Sequence, residues 1–402
     1  MNDNPDRTAP TGVTRTRWLS ITAAIASISV VGMAIGLGTP LLSVVLAQRG
    51  HSASMIGLNT AIAGLASIAA APLATPLAIR FGMVRTMLAM IAIGAFAFVG
   101  FYFAPAFWMW FPLRAILHVA LTVLFILSEF WISTSAPANK RGFVLGLYAT
   151  VLSLGFAFGP WLFAKMGSSG FLPFGTTFAV VIAAAIPVLI AAHESPTFHV
   201  GSDGTDKGGF ARYIWLVPTS TAAVLVFGAV ETGGFALFPV YGSLIGYSEG
   251  EAAVLLSMIG LGNVMLQIPM GILSDRVRDR RILLLGCAVV GLAGMLALPL
   301  YQHDWYLTAL VLFVWGGVVA ALYTIGLAHL GSRLTGRDLA SANAAFVFCY
   351  GFGMLVGPQA IGISMDALGA RGFGYALVGF FLIYVVLALW RLATSPVRSS
   401  CP

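Results

Sequence analysis

Twelve apolar runs, nearly all long enough to cross a bilayer as helices, fill this chain and are joined mostly by short turns. They lie near 18–46, 53–79, 83–104, 107–134, 141–165, 172–193, 212–244, 250–274, 281–300, 305–332, 338–365 and 372–394. About 20 residues suffice for one crossing. Inside hydrocarbon every backbone polar group must be satisfied within the protein, which restricts spanning segments to helices or a closed barrel. Runs of this length therefore dictate an all-α membrane protein. Composition agrees, with 59% hydrophobic and only 9% charged residues, where a soluble domain carries about a quarter charged. Residues 1–17 are polar and basic, and the run after them is too long for a cleaved leader, so it reads as a first helix that stays. The longest polar stretch, residues 193–211, separates two sets of six. The expected organisation is a tail (1–17), a six-helix bundle (18–193), a central loop (194–211), a second bundle (212–394) and a tail (395–402).

Orientation follows from the basic residues. With both termini on one side, 17 of the 21 Lys and Arg fall on that side, three (Arg49, Lys165, Arg371) on the other, and Arg114 within a helix. The expectation is a bacterial-type inner membrane with both termini cytoplasmic. The net charge of +7 then reports topology, and no nucleic-acid partner is expected. Aromatic clusters at 101–111 and 301–306 fall at the outer interface, where amphipathic rings belong. The cysteines, Cys287, Cys349 and Cys401, show neither a paired framework nor metal-ligand spacing. No metal and no cofactor are expected.

The two halves repeat. Gly155 is followed by Gly159 and Pro160 in the fifth run, and Gly353 by Gly357 and Pro358 in the eleventh, 198 residues later. "GILSDRVRDRR" (271–281) likewise corresponds to "TPLAIRFGMVR" (75–85), with Arg276 opposite Arg80. Internal repeats of this kind are common in transporter folds. At about 100° per residue, Gly155 and Gly159 share one side of their helix, while Gly146, Ser153 and Ala157 fall near the opposite side. Neighbours can approach this helix closely on both flanks, and Pro160 removes a backbone donor and bends it. Two readings stand: a hinge where the halves seal and reopen, or close packing alone.

Gly271, Asp275, Arg276 and the basic residues after them resemble the loop signature of the major facilitator superfamily, Gly-x-x-x-Asp-Arg. "GLYATVLSLGFAFGP" (146–160) is similar to the fifth-helix signature of its proton-coupled antiporters. The resemblance spans all twelve runs and implies two pseudo-symmetric six-helix bundles that work by alternating access. It further implies a cytoplasmic gate at Gly271, Asp275 and Arg276 with Arg80 as counterpart. The first-half loop carries Thr75 and Ile79 at the glycine and aspartate positions, so the working copy is the second. Arg114 resembles the fourth-helix arginine used in proton coupling, with His118 where the family has a glycine; a snorkelling arginine beside the aromatic belt is the other reading.

Charges at membrane depth are expensive and default to functional candidates. Most of the 14 Asp and Glu fall in turns and tails, but Glu129 and Glu231 do not. Glu231 is the first choice as proton carrier, flanked by Gly228, Gly233 and Gly234, which allow bending beside a cavity, and with no basic residue within a turn or two. Its alternative is a protonated acid bonded to a neighbouring helix. Glu129 lies nearer the basic side, within reach of Arg80, Arg85 or Arg337, and reads better as an ion pair holding the inner gate. Asn263, Gln267, Tyr241 and Asn343 are weak cavity candidates. Interhelical hydrogen bonding explains such groups, and Asn59 and Gln359, equally well, while His118 and His329 read as bonded core residues.

No Gly-x-x-x-x-Gly-Lys-Ser/Thr loop is present, so ATP hydrolysis by that route is excluded. No nucleophile–base cluster points to an enzyme. Few intramembrane charges and 12% aromatic residues suit a neutral, weakly charged or aromatic organic substrate. The expected partners are that substrate, protons and the lipid bilayer, with the chain a monomer. The leading reading is a proton-coupled exporter. The alternatives are an importer of a metabolite or vitamin on the same fold, and a membrane receptor or assembly factor that does not transport.

Overall fold

A computed structural model of the protein describes residues 14–136, 141–196, 210–334 and 336–394. Twelve helices in it are long and apolar enough to cross a membrane. The helices are α1 (Thr14–Gln48), α2 (Ala53–Phe81), α3 (Met83–Phe103), α4 (Trp110–Ser135), α5 (Arg141–Met166), α6 (Leu172–Ala183) and α7 (Ala185–Ile190) in the first half. The second half holds α8 (Phe210–Leu216), α9 (Pro218–Leu244), α10 (Glu249–Arg276), α11 (Arg280–Tyr301), α12 (Trp305–Gly331), α13 (Gly336–Leu368) and α14 (Arg371–Thr394). The tail 1–13, the loop segment 197–209 and the tail 395–402 lie outside the described residues.

Proline makes two departures from the apolar runs. The sixth run divides into α6 and α7 because Pro187, lacking an N–H, crowds the carbonyl four residues back and breaks the ladder at Ala184. The seventh run divides at Val217, whose backbone (φ −126°, ψ 54°) is not helical, in keeping with the crowding that Pro218 imposes on the residue before it. The short α8 is thereby set apart from the spanning α9.

Within each half the repeated glycines bring two helices together. A Cβ on Gly155 would stand 2.7 Å from Met33 N and Ser29 O, and one on Gly159 would stand 2.5 Å from Leu37 N, both on α1. In the second half Gly353 and Gly357 meet the backbone of Leu225 and Ala229 on α9. Helix α5 thus lies against α1 as α13 lies against α9.

The halves meet along α2 with α13 and along α5 with α10. Gly57 faces the Pro358 carbonyl, Gly64 faces Leu355 N and Gly351 O, and Gly362 faces the Ala53 carbonyl. On the other seam a Cβ on Gly260 would stand 2.7 Å from Ala157 Cα. All these approaches belong to the portion of the bundle away from the basic turns, here called the far end. Two polar clasps finish the far-end seal. Asp366 Oδ1 and Oδ2 accept the backbone N–H of Ala53 (2.9 Å) and Ser54 (3.1 Å), which start α2. Gln48 donates to Ser168 Oγ (2.8 Å) and to Glu249, and Ser168 Oγ donates to Glu249 Oε2 (2.8 Å). A carboxylate at a helix N-terminus satisfies donors that the helix leaves free.

Candidate functional site

A cleft holding about 500 Å³ of space, part of it open to solvent, lies midway along the bundle. It is framed by α9, α10 and α12, with Phe156 of α5 reaching in from the first half. Glu231, half-buried near the middle of α9, lines it together with Phe227, Phe235, Asn263 and Trp315. Its Oε2 accepts a hydrogen bond from Tyr350 Oη of α13 at 2.6 Å. The Tyr350 ring stacks on Phe227 (6.2 Å, 26°), and Tyr323 of α12 lies edge-on to Tyr350 (5.9 Å). Among the described residues no cation pairs with Glu231.

The local sequence explains this placement. Helix α9 is unbroken through residues 218–244, so its glycines do not unwind it. Gly228 admits the Tyr350 backbone, a Cβ there standing 2.5 Å from Tyr350 O, and Gly233 admits the Gly357–Pro358 peptide. Gly234 faces open space and lines the cleft. Close approach of α13 to α9 is what brings the Tyr350 hydroxyl to the carboxylate.

Glu129 is exposed although it sits on the spanning helix α4. It lies within electrostatic reach of Tyr148 and Tyr323, and Tyr323 also senses Glu231. The two acids, one from each half, thus act electrostatically on the same tyrosine. The expected partners Arg80 and Arg85 form no ion pair among the described residues, and the Arg337 side chain lies outside them. Arg80 is exposed and stacks over its neighbour Phe81 at 5.3 Å.

Arg114 is fully buried, 1% exposed, so it does not snorkel. Its Nε donates to Asn59 Oδ1 at 3.1 Å and its guanidinium lies 5.9 Å over Phe101. Arg114 Nη2 and Asn59 Nδ2 have no hydrogen-bond partner among the described residues. His118 is buried one turn further along.

The other sequence candidates separate. Asn263 lines the cleft and its Nδ2 donates to Ser153 Oγ across the seam at 3.5 Å. Gln267 is half-buried one turn beyond it and Asn343 is exposed near the start of α13; neither lines the cleft. Tyr241 is away from the cleft: its ring stacks on Phe373 (4.8 Å) and its hydroxyl donates to Gln302 Oε1 (2.6 Å). Gly146 and Gly271 face open space, and Pro160 and Pro358 sit inside continuous helices.

At the loop between α10 and α11 the tightly held residues are not the ones singled out. Asp275 pairs with Arg280 (3.1 Å) and is largely exposed, and Arg276 is exposed. Arg281 is buried and pairs with Asp279 at 2.8 Å, while Asp279 also accepts from Arg281 N and caps α11. Arg280 and Arg281 reach the carbonyls of Ala328 and Arg391, tying the loop to α12 and α14 in the same half. Burial pulls the Asp279 carboxyl up, but the Arg281 hydrogen bonds and charge outweigh it and hold it below the usual aspartate value. A depressed carboxyl stabilises the fold above its unfolded pKa, and that stability is lost as pH falls through the folded value. Asp279→Asn is therefore expected to cost about 2 kcal/mol at neutral pH, with the difference from wild type shrinking in acid. Thermal unfolding of the two proteins across pH measures this.

Sequence reasoning missed Tyr350, Tyr323 and Asp279. A tyrosine in the middle of a glycine-rich spanning helix needs a hydroxyl partner, and that need was the available signal for Tyr350.

A model of the Major Facilitator Superfamily matches residues 24–263 and 219–402. The chain belongs to this superfamily. It is 24% identical over 370 residues to the MFS-type transporter YfkF of Bacillus subtilis (strain 168), spanning 90% of this chain and 92% of that one. An MFS-type transporter of Yersinia pestis (strain Pestoides F) is also 24% identical, over 73% of this chain and 75% of its own. Among solved structures, the nucleoside transporter NupG superposes with a TM-score of 0.74 at 14% identity, covering 94% of this chain and 99% of that one. A bacterial homologue of the human lysosomal transporter Spinster, inward-facing and unoccupied, gives 0.71 at 16% identity, covering 94% and 96%. At these identities the structural likeness shows the fold. The major facilitator fold supports membrane transport of a small molecule by this chain, in a multi-pass membrane setting.

Proposed function

We propose that this major facilitator protein is a proton-coupled exporter of small organic compounds, working as a monomer in a bacterial-type inner membrane with both termini cytoplasmic. The observation that carries the reading is Glu231: a carboxyl group midway through the bundle, lining the cleft, bonded to Tyr350 and matched by no cation among the described residues. A carboxyl so placed exchanges its proton with whichever side the cleft faces. Tyr350 donates to the charged form and so holds it ready between proton loading and release. Glu129, exposed beside Tyr323, supplies a second acid on the path. Arg114, buried with an unused donor, supplies a fixed positive charge in the first half.

The far end is sealed by paired glycines and two polar clasps, and the basic-end residues Arg80, Gly271, Asp275 and Arg276 form the gate that closes when the far end opens. Gly155, Gly159 and Pro160, with Gly353, Gly357 and Pro358, keep α5 and α13 tied to α1 and α9, so that each pair moves as one body. Gly146, facing open space, leaves room for the α1–α5 pair to shift against the second half.

Vesicles test the reading. The substrate is taken from compounds that accumulate in cells lacking the gene. An imposed proton gradient is expected to drive it outward against its own gradient, with protons moving the opposite way. Glu231→Gln is expected to lose the uphill movement and keep downhill exchange. Uphill movement that survives in Glu231→Gln, or that proceeds without proton flux, overturns the proposal.

A further inference from the structure

The cleft around Glu231 has an unusual hydrogen-bonding inventory. Its donors are mostly engaged: Tyr350 Oη donates to Glu231, Trp315 Nε1 to the Gly291 carbonyl (3.1 Å), and one N–H of Asn263 Nδ2 to Ser153 Oγ. Beyond the second Asn263 N–H, what remains is acceptor capacity. Asn263 Oδ1 has no partner among the described residues, and Glu231 Oε1 has none among the hydrogen bonds of those residues. No Lys, Arg or His lines the cleft. Around these acceptors stand the rings of Phe156, Phe227, Phe235 and Trp315, with Phe156 edge-on to Phe235 at 5.8 Å and Phe227 backed by Tyr323 and Tyr350.

We infer that the cleft takes an organic cation, a protonated amine carried on an aromatic or similarly flat body. The inference rests on reading this cleft as the substrate site. A carboxylate withdrawn from water either takes up a proton or needs a positive partner, and the protein supplies no cation there among the described residues. The N–H groups of an ammonium match the two free acceptors, and aromatic faces attract a desolvated cation. A neutral compound would leave the carboxylate unmatched, and an anion would be repelled by it.

One consequence is exchange at a single group: a proton or the amine neutralises Glu231, and each displaces the other. The groups facing Glu231 from the surrounding helices are Tyr350 on α13, Tyr323 on α12, Asn263 on α10 and, beyond Tyr323, Glu129 on α4. All are neutral or acidic, so raising pH favours the cation.

Equilibrium binding to the detergent-purified full chain tests this, with three ligands that share one ring system and differ in charge: tryptamine, tryptophol and indole-3-propionate. Calorimetry is expected to show tryptamine binding at least about tenfold more tightly than tryptophol, with no binding of the propionate. Tryptamine affinity should rise with pH while tryptophol affinity stays constant. Glu231→Gln should weaken tryptamine about tenfold or more and leave tryptophol little changed, in protein that elutes and melts as wild type. Phe227→Leu, which keeps the carboxylate, should weaken tryptamine about threefold. Tryptophol binding as tightly as tryptamine, tryptamine binding unchanged in Glu231→Gln, or no binding by any of the three overturns the inference. The measurement uses no gradient, so its failure leaves proton coupling standing, and failure of coupling in vesicles leaves this result standing.

Discussion

Leucine at both Gly57 and Gly64 is expected to hold the protein open at its far end and stop transport, with both bundles still folded. Each glycine sits where α2 of the first half touches α13 of the second: Gly57 faces the Pro358 carbonyl, and a Cβ on Gly64 would stand 2.5 Å from Leu355 N and 2.6 Å from Gly351 O. The obstructing atoms are backbone, which cannot swing aside as a side-chain tip can. Overpacking costs about 1–3 kcal/mol per site. Here the strain has an outlet, because the halves can separate without unfolding either one. Moving a two-state population from one extreme to the other takes about 5.5 kcal/mol, which two such leucines approach together. The reporter is Ala53→Cys, buried in this state against Gly362; the native Cys287 and Cys349 are themselves buried. A membrane-impermeant maleimide added from the far side should label it about tenfold faster in the double-leucine protein. Unchanged labelling together with wild-type transport would mean that the α2–α13 contact is not the seal.

That contact also shows what the sequence could and could not display. Helix length and apolar content are local properties, and they placed all twelve spans. The breaks at Pro187 and Pro218 were local too, but a hydropathy run averages over a single proline. The flanks of α5 were readable from angular spacing. Which neighbour lies on each flank was not: Gly155 and Gly159 meet α1, while Ser153 and Ala157 meet α10. Pairings between distant segments left the least trace. Tyr350 stands 119 residues from Glu231, and Asp366 stands 313 from the N–H of Ala53. Glu249 and Asp366 looked like turn acids because they sit at the ends of apolar runs. Their role as clasps exists only once the two halves are docked.

The repeat itself carries a functional asymmetry. Gly155 meets Ser29 O and Met33 N on α1 as Gly353 meets Leu225 O and Ala229 N on α9, an offset that sets Gly228 opposite Gly32 and Glu231 opposite Ile35. Gly32 admits the Leu152 carbonyl as Gly228 admits that of Tyr350, whereas the place held by apolar Ile35 in α1 is held in α9 by Glu231, which lines the cleft. One copy of the helix carries an apolar residue there, and the other carries the acid proposed to couple transport to protons. A scaffold that repeats and a charge that does not repeat are what a single-carrier exchange mechanism needs.

The same substitution placed inside a half is expected to act on folding instead. Gly357 packs against Ala229, with the carbonyl, Cα and carbonyl carbon all in the way of a Cβ, and Gly353 packs against Leu225 O and Ala229 N. Helices α9 and α13 belong to one bundle, and membrane helix pairs gain much of their association from such close backbone approach. Separating them would also carry Tyr350 away from Glu231 and leave a carboxylate unmatched in the interior. No alternative state of the transport cycle relieves this strain, so Gly357→Leu should cost about 3 kcal/mol or more. Most of the protein should be lost before purification, and any remainder should melt well below wild type. Gly57→Leu, equally bulky but on the seam, should purify in wild-type yield. If Gly357→Leu also purified and melted as wild type, α9 and α13 would have to slide past each other during transport, and the rigid-pair account of each bundle would fail.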